Sequence, residues 1–431
     1  MRTTTNVVLW ALAALLVAWI VVAASGVLPQ PTRAQVEALA LLRAPPERAV
    51  GANNAFGWFW LLPYDIPAAE QDDVLKTDVA AFTRTAGGAP RISSAEGRYA
   101  RSWPKEALAG LVCGRPAGCL DAVRADPAAV RTALAAMAPL RERLQGLAEF
   151  DHLATPFTPT YDLPLPEFSA VGTLQLTSAA LRFVDGDAEG ALTQLCTDLS
   201  LWRRLKGRSD SLVFEMVDLA WLDGGIRLPQ DMRAALPTAH PLPPACATTF
   251  APLQPGERHS CDVYRQEFAM VASALTSDDV WPDRSWIERQ AAPLLFNRDA
   301  TLALVATQYA AACRGDAAVD TRCRLSEQIF NPIGCALASL GGPDWPVYRQ
   351  REEDTAAALA LLPYIDWLAR QADPAAAFAS GEARPALPQR VDFADNAVVL
   401  SLAAPRSGEA ATWLLPLPGS RTTTSDPGAS P

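Results

Sequence analysis

Residues 171–207 read VGTLQLTSAALRFVDGDAEGALTQLCTDLSLWRRLKG, and their spacing dictates two antiparallel helices. Leu174, Leu181 and Val184 form one apolar stripe; Leu192, Leu195, Leu199, Trp202 and Leu205 form another at the same helical period. Between them Asp185-Gly186-Asp187 turns the chain, with Asp187 placed to cap the second helix and Glu189 in its first turn. Arg203, Arg204 and Lys206 occupy the last turn, where cations suit the helix dipole, and Gly207 stops the helix. A third helix is expected from about Ser209-Asp210, carrying Leu212, Val213, Met216, Leu219 and Leu222.

The string ALRFVDGDAEGALTQL within this stretch resembles the turn between the two helices of a tetratricopeptide repeat. The resemblance covers one hairpin, and no 34-residue recurrence accompanies it. It implies stacking of helix pairs. The fold class expected is therefore mainly α: a multi-helix domain of packed hairpins.

Moving toward the amino terminus, helical patterning recurs. Asp126-Pro127 opens a helix with Asp at the cap and Pro at the first position, running through Val130, Leu134, Met137, Leu140, Leu144 and Leu147 with a kink at Pro139. TPFTPTYDLPLP, across 155–166, is too rich in proline for helix and is expected to join two helical lobes. A helix is also expected over 68–85, ending at Gly87-Gly88. Before it, GANNAFGWFWLLPYDIP (51–67) is the densest aromatic run outside the first thirty residues. Its Phe56, Trp58, Phe59 and Trp60 form either an interaction patch or a core segment.

Residues 7–28, VVLWALAALLVAWIVVAASGVL, carry no charge. About 20 apolar residues in a helix cross the roughly 30 Å hydrocarbon layer, so the run is expected to be an uncleaved transmembrane signal-anchor, residues 1–28. A cleaved signal peptide is the competing reading, and either one exports the remainder. Residues 29–50 then read as a juxtamembrane stalk, with Thr32 capping a short helix that Pro45-Pro46 stops. The extracytoplasmic domain is expected over 51–418.

Toward the carboxyl end, helices are expected at 261–275, 286–313, 321–330 and 348–371. The period then changes: VDFADNAVVLSL (391–402) and ATWLLPL (411–417) are expected as two strands of a small β-hairpin around APRSGE. Residues 419–431 are expected to be a disordered tail.

The chain has 431 residues, is 50% hydrophobic and carries a net charge of -10, which argues for a sizeable core and against a nucleic-acid partner. Its eight cysteines are Cys113, Cys119, Cys196, Cys246, Cys261, Cys313, Cys323 and Cys335. An even number in an exported chain points to disulfides, although eight allow 105 pairings. Nearest-neighbour logic selects 113–119, 246–261 and 313–323, leaving 196 with 335. No C-x-x-C occurs and the histidines are not clustered with thiols, so neither a metal nor another cofactor is expected.

Catalytic motifs are weak. Ser102-Trp103-Pro104-Lys105 fits the S-x-x-K of penicillin-recognising serine enzymes, but the nearest strings to their S-D-N and K-T-G partners, Ser209-Asp210-Ser211 and Lys76-Thr77-Asp78, depart from the pattern. Asp151-His152 is the one acid–histidine neighbour; read as helical, the two would not face each other. The acid groups Asp72-Asp73, Asp278-Asp279 and Glu352-Glu353-Asp354 read as solvated helix faces. Trp281, Trp286, Trp345, Trp367 and Trp413 either line a groove or fill gaps between helices. No catalytic residues are assigned.

Together these features point to a single-pass protein of a bacterial inner membrane, periplasmic in bulk, held by residues 7–28 and binding an unidentified protein partner. The alternatives are a cell-wall hydrolase or carbohydrate-binding protein, or an immunity-type inhibitor of a periplasmic toxin.

Overall fold

The computed structural model describes the chain except residues 1, 26–28, 46–52, 85–92, 115–117, 259–260, 277–291, 293, 317–321, 341, 407–408 and 421–431. The fold is mainly helical with a small carboxyl-terminal sheet. In chain order the helices begin α1 (Arg2–Ser25), α2 (Arg33–Leu42), α3 (Ala55–Leu61), α4 (Ala68–Arg84), α5 (Cys119–Ala125) and α6 (Pro127–Ala136). There follow α7 (Ala138–Arg143), α8 (Ser169–Val184), α9 (Ala188–Leu205), α10 (Leu212–Ala234), α11 (Pro244–Thr249) and α12 (Cys261–Thr276). The last are α13 (Arg298–Arg314), α14 (Leu325–Phe330), α15 (Pro332–Ser339), α16 (Trp345–Ala369) and α17 (Pro374–Ser380). Strands β1 (Val391–Ala394), β2 (Ala397–Ser401) and β3 (Thr412–Pro416) end the fold.

Two compact units result. One comprises residues 1–47, 158–163 and 261–346; the other comprises 48–157, 164–260 and 347–431. In the first, α2 packs along α13, and α12 and α15 also contact α13. Thr32 and Gln35 cap α2 reciprocally, and Gln35 Nε2 donates to Glu327 Oε1 at 3.0 Å. The stretch read as a stalk thus supplies a packed helix, because Ala38 and Leu42 are buried. Tyr309 stacks edge-on against both Phe268 and Trp345. Trp345 is therefore a core residue and does not line a groove.

The second unit is built on the expected hairpin. Asp187 accepts from the Gly190 amide at 2.9 Å, and Gly186 takes φ +95°, a backbone region that L side chains avoid. Helix α10 lies across α8 and α9, approaching them at glycines. A Cβ on Gly225 would sit 1.9 Å from Leu199 Cδ2, and one on Gly172 would sit 2.0 Å from the Trp221 indole. Ser211 caps α10, which runs a further dozen residues past the apolar pattern, to Ala234. The helix opened by Asp126 ends at Ala136 and restarts as α7 with Pro139 in its first turn; the kink expected there is a full break.

The carboxyl-terminal element is a three-stranded antiparallel sheet, not a hairpin. Asp395 and Asn396 both adopt positive φ, 51° and 54°. This is the two-residue turn that matches strand twist, and it splits the first expected strand into β1 and β2. Trp413 and Leu415 of β3 are buried, which removes Trp413 from any groove; the Arg227 guanidinium lies 5.4 Å from its ring centroid. Trp367 is half-buried and stacks on Tyr364, whereas Trp281, Trp286 and Asp278-Asp279 lie outside the described residues.

All eight cysteines form disulfides: 113–119, 196–246, 261–313 and 323–335. Only the first matches nearest-neighbour logic. That logic fails because helix packing carries α11 back onto α9, so Cys246 meets Cys196 and not Cys261. By the chain-entropy model, closing loops of 50 and 52 residues is worth about 4 kcal/mol each.

The charges ending α9 do more than suit its dipole. Arg203 is buried, paired with Glu257 at 2.6 Å, and donates to the carbonyls of Thr248, Thr249, Ala251 and Pro252. Lys206 is wholly buried between Glu215 of α10, at 3.1 Å, and Glu352 of α16, at 2.8 Å. Burial disfavours its charge, but Glu215, Glu352 and Asp218 outweigh that and hold its pKa above the ordinary value. The Glu352-Glu353-Asp354 group is accordingly no solvated face: Glu352 and Asp354 are buried. Asp354 accepts the amides of Ala403 and Ala404. Asp72 and Asp73, in contrast, are exposed as expected.

Two outcomes check this packing. Lys206→Met leaves Glu215 and Glu352 without their cation and is expected to destabilise by about 3–5 kcal/mol; Lys206→Met with Glu215→Gln and Glu352→Gln recovers most of that loss in chemical denaturation. Gly225→Ala is expected to lose about 1–3 kcal/mol through overpacking against Leu199. Gly256→Ala, which meets open space, stays within about 0.5 kcal/mol of the wild type.

Candidate functional site

The chemistry of the second unit converges on a cleft bounded by α7, the 3-10 turn Leu144–Glu149, α8 and α9. Its volume is about 600 Å³. Successive helical turns place its side chains: Gln175 and Ser178 project from α8, and Gln194, Thr197 and Asp198 from α9. Leu144, Leu174 and Leu201 supply an apolar wall, and Arg141 and Glu142 stand exposed at the rim.

A chain of contacts sets the orientation of these groups. The Trp202 indole N–H donates to Gln175 Oε1 at 2.8 Å. Trp202 is itself wedged against Trp221, with ring centroids 4.2 Å apart, and against Phe59 at 6.0 Å. With its oxygen engaged, Gln175 turns its amide nitrogen away from Trp202. That nitrogen makes no hydrogen bond of proper geometry, although the residue is only 6% exposed. Gln194 Nε2 donates to Ser178 Oγ at 3.2 Å, closing the cleft between α8 and α9.

Asp198 is the site's titrating group. Burial pushes its carboxyl up to about 7, against the amides of Gln194 and Gln175, which favour the ionised form. Among the described residues no cation lies within ion-pair range of it. Its environment differs from that of other carboxylates in the unit. Asp78 beside a second cavity already accepts from Trp60 Nε1, Ser93 Oγ and the Ser94 amide. Asp223, pushed up to about 6 by burial, is held by Thr355 and Arg406. Asp198 combines a raised pKa with an open cleft.

The sequence-derived candidates fall elsewhere. Phe56, Phe59 and Trp60 are buried and Trp58 is half-buried. Four rings that could have formed an interaction patch therefore chiefly fill the core, where Phe157, Phe168 and Phe214 meet them edge-on. Ser102 Oγ is bound by Arg143 Nη1 at 2.6 Å, and the same nitrogen donates to the carbonyls of Leu62 and Tyr64. The S-x-x-K serine is thus a structural anchor. Asp151 and His152 lie outside any helix, and the Asp151 carboxylate is 2.6 Å from His152 Nδ1. Among the described residues no group of three His, Cys, Asp or Glu side chains could hold a metal ion.

Sequence reasoning missed Asp198, Gln175 and Gln194. Their one signal is polarity at helical spacing beside the leucine stripes, and any solvated helix face shares it. No protein-family model, curated protein or solved structure matches the chain.

The raised Asp198 pKa fixes the sign of a stability difference. The unfolded carboxyl releases its proton near 3.9, whereas the folded one keeps it up to about 7. Folding therefore takes up a proton between those values, and stability falls as pH rises through that window. Asp198→Asn removes the effect. It is expected to be more stable than the wild type at pH 8 by on the order of 1–3 kcal/mol. The gap closes toward pH 4, as parallel denaturation curves would report.

Proposed function

We propose that this chain is a single-pass membrane protein, tethered by residues 7–28. Its helical body then occupies the oxidising periplasmic space of a bacterial envelope and binds a partner through the Asp198 cleft without chemical turnover. The observation that carries the tether is the surface of α1. Trp10, Leu12, Leu15, Leu16, Val17 and Val21 are each more than half exposed, on a helix of 24 residues. Contiguous apolar surface of this kind is rare against water, and lipid is the solvent that removes its unfavourable hydration.

Among the residues whose side chains the structure describes, no helix is long and apolar enough to cross a membrane. On α1 those side chains begin only at Trp10, and residues 26–28 lie outside the described set. The full span therefore rests on the uncharged sequence from Val7 to Leu28. Four disulfides support an oxidising compartment.

Binding suits the cleft because its hydroxyls are engaged by groups other than a base. Ser178 Oγ accepts from the Gln194 amide, and Thr197 Oγ1 donates to the Thr193 carbonyl at 2.8 Å.

Expressed in a bacterial host, the full chain is expected in the membrane pellet, released by detergent and not by alkaline carbonate. The chain lacking residues 1–28 is expected to leave that fraction. Alkylation should find no reactive thiol until reductant exposes eight. A full-length chain that is soluble in the cytosol with eight reactive thiols would refute the proposal.

A further inference from the structure

We infer that the cleft between α7, α8 and α9 receives a primary ammonium group on an alkyl stem, the chemistry of a lysine side chain or of a free diamine. This rests on reading the cleft as a binding site, and it adds what that site takes.

The first observation is the unmatched carboxylate. Asp198 lines the cleft, and among the described residues no cation pairs with it. Of the elements around it, α8 contributes the uncharged Gln175 and Ser178, and α9 contributes Gln194 and Thr197. Helix α7 contributes Arg141 and Glu142, both at the exposed rim. No charged group on α10 or α11, which pack against α9, contributes to its titration. A partly buried acid without a cation is stabilised in its charged form by a ligand that brings one.

A second observation is Gln175, whose amide also favours the ionised form of Asp198. It is more than nine-tenths buried, its oxygen is fixed by Trp202, and its Nε2 makes no hydrogen bond of proper geometry. A buried donor without a well-formed hydrogen bond is disfavoured. A carbonyl carried on the ligand's stem would satisfy it.

The acceptor set suits an ammonium group. Gln194 donates its Nε2 to Ser178, which leaves Gln194 Oε1 and Ser178 Oγ as acceptors beside the Asp198 carboxylate. These separate acceptors from two helices offer one partner to each of the three rotatable donors of a compact cation. Leu144, Leu174 and Leu201 cover the methylene stem. Because the ligand needs Asp198 ionised, affinity rises with pH through about 7.

The test is calorimetric titration of the full chain in detergent with three probes. These are Nα-acetyl-lysine N-methylamide, butane-1,4-diamine and the uncharged Nα-acetyl-norleucine N-methylamide. The two amines are expected to bind at pH 8 and about tenfold more weakly at pH 6, the ratio for one carboxyl titrating near 7. Asp198→Asn, checked for folding by its melting curve, is expected to bind the amines at least tenfold more weakly at pH 8 and to lose the pH dependence. Tighter binding of the lysine derivative assigns the stem to a peptide and the Gln175 donor to its carbonyl; tighter binding of the diamine assigns a free amine. Norleucine amide binding as well as the lysine derivative would overturn the ammonium assignment and leave the cleft a binding site. No binding of any probe at millimolar concentration would overturn both. The wild-type pH comparison stands as a test even if the variant fails to fold.

Discussion

One buried ammonium organises the second unit. Lys206 ends α9, and its two carboxylate partners come from α10, the next helix, and from α16, 146 positions away, so three helices are fixed to one point. Removing Lys206 would leave both carboxylates without a cation in the interior, a far larger penalty than any surface ion pair could offset. The arrangement explains why an acidic chain buries Glu215 and Glu352 at all. Asp218, pushed well above the usual carboxylate range by burial, is drawn into the same cluster, where Lys206 opposes that rise.

Fixing the end of α9 also fixes the cleft. Asp198 lies two turns before Lys206, and Trp202 lies between them. Trp202 couples the aromatic core to the site: it packs on Phe59 and Trp221 and directs Gln175 through its indole N–H. The aromatic run near the start of the unit thus acts on the cleft through packing. Glycines let α10 approach the two helices that carry the cleft: Gly225 faces Leu199 of α9, and Gly172 of α8 faces Trp221.

The difference between Asp198 and its neighbours shows how environment assigns roles to one residue type. Asp187 is an exposed cap, with its pKa lowered by the Arg182 guanidinium and the Gly190 amide. Asp78 is saturated by donors. Asp198 has burial without a cation, and an opening beside it. Burial is what brings the titration of Asp198 up to about 7.

What was legible in the sequence is what depends on near neighbours. The α8–α9 hairpin, its Asp187 cap and the Asp126-Pro127 helix start all arise from spacing and local hydrogen bonding within a few residues, and each is present in the fold. The uncharged run at 7–28 is local in the same sense. The disulfide partners of Cys196 and Cys261, the burial of Glu352 and the inward turn of the Phe56–Trp60 rings were not legible, because each depends on residues 50 or more positions away. The Asp395-Asn396 turn was local yet overlooked inside a continuous apolar pattern. Sequence by itself determined where helices start and stop, since caps and apolar periods act over one or two turns. Only the tertiary structure decided which acids lie buried, paired or open to a ligand, because desolvation and charge pairing depend on whatever distant segment packs alongside.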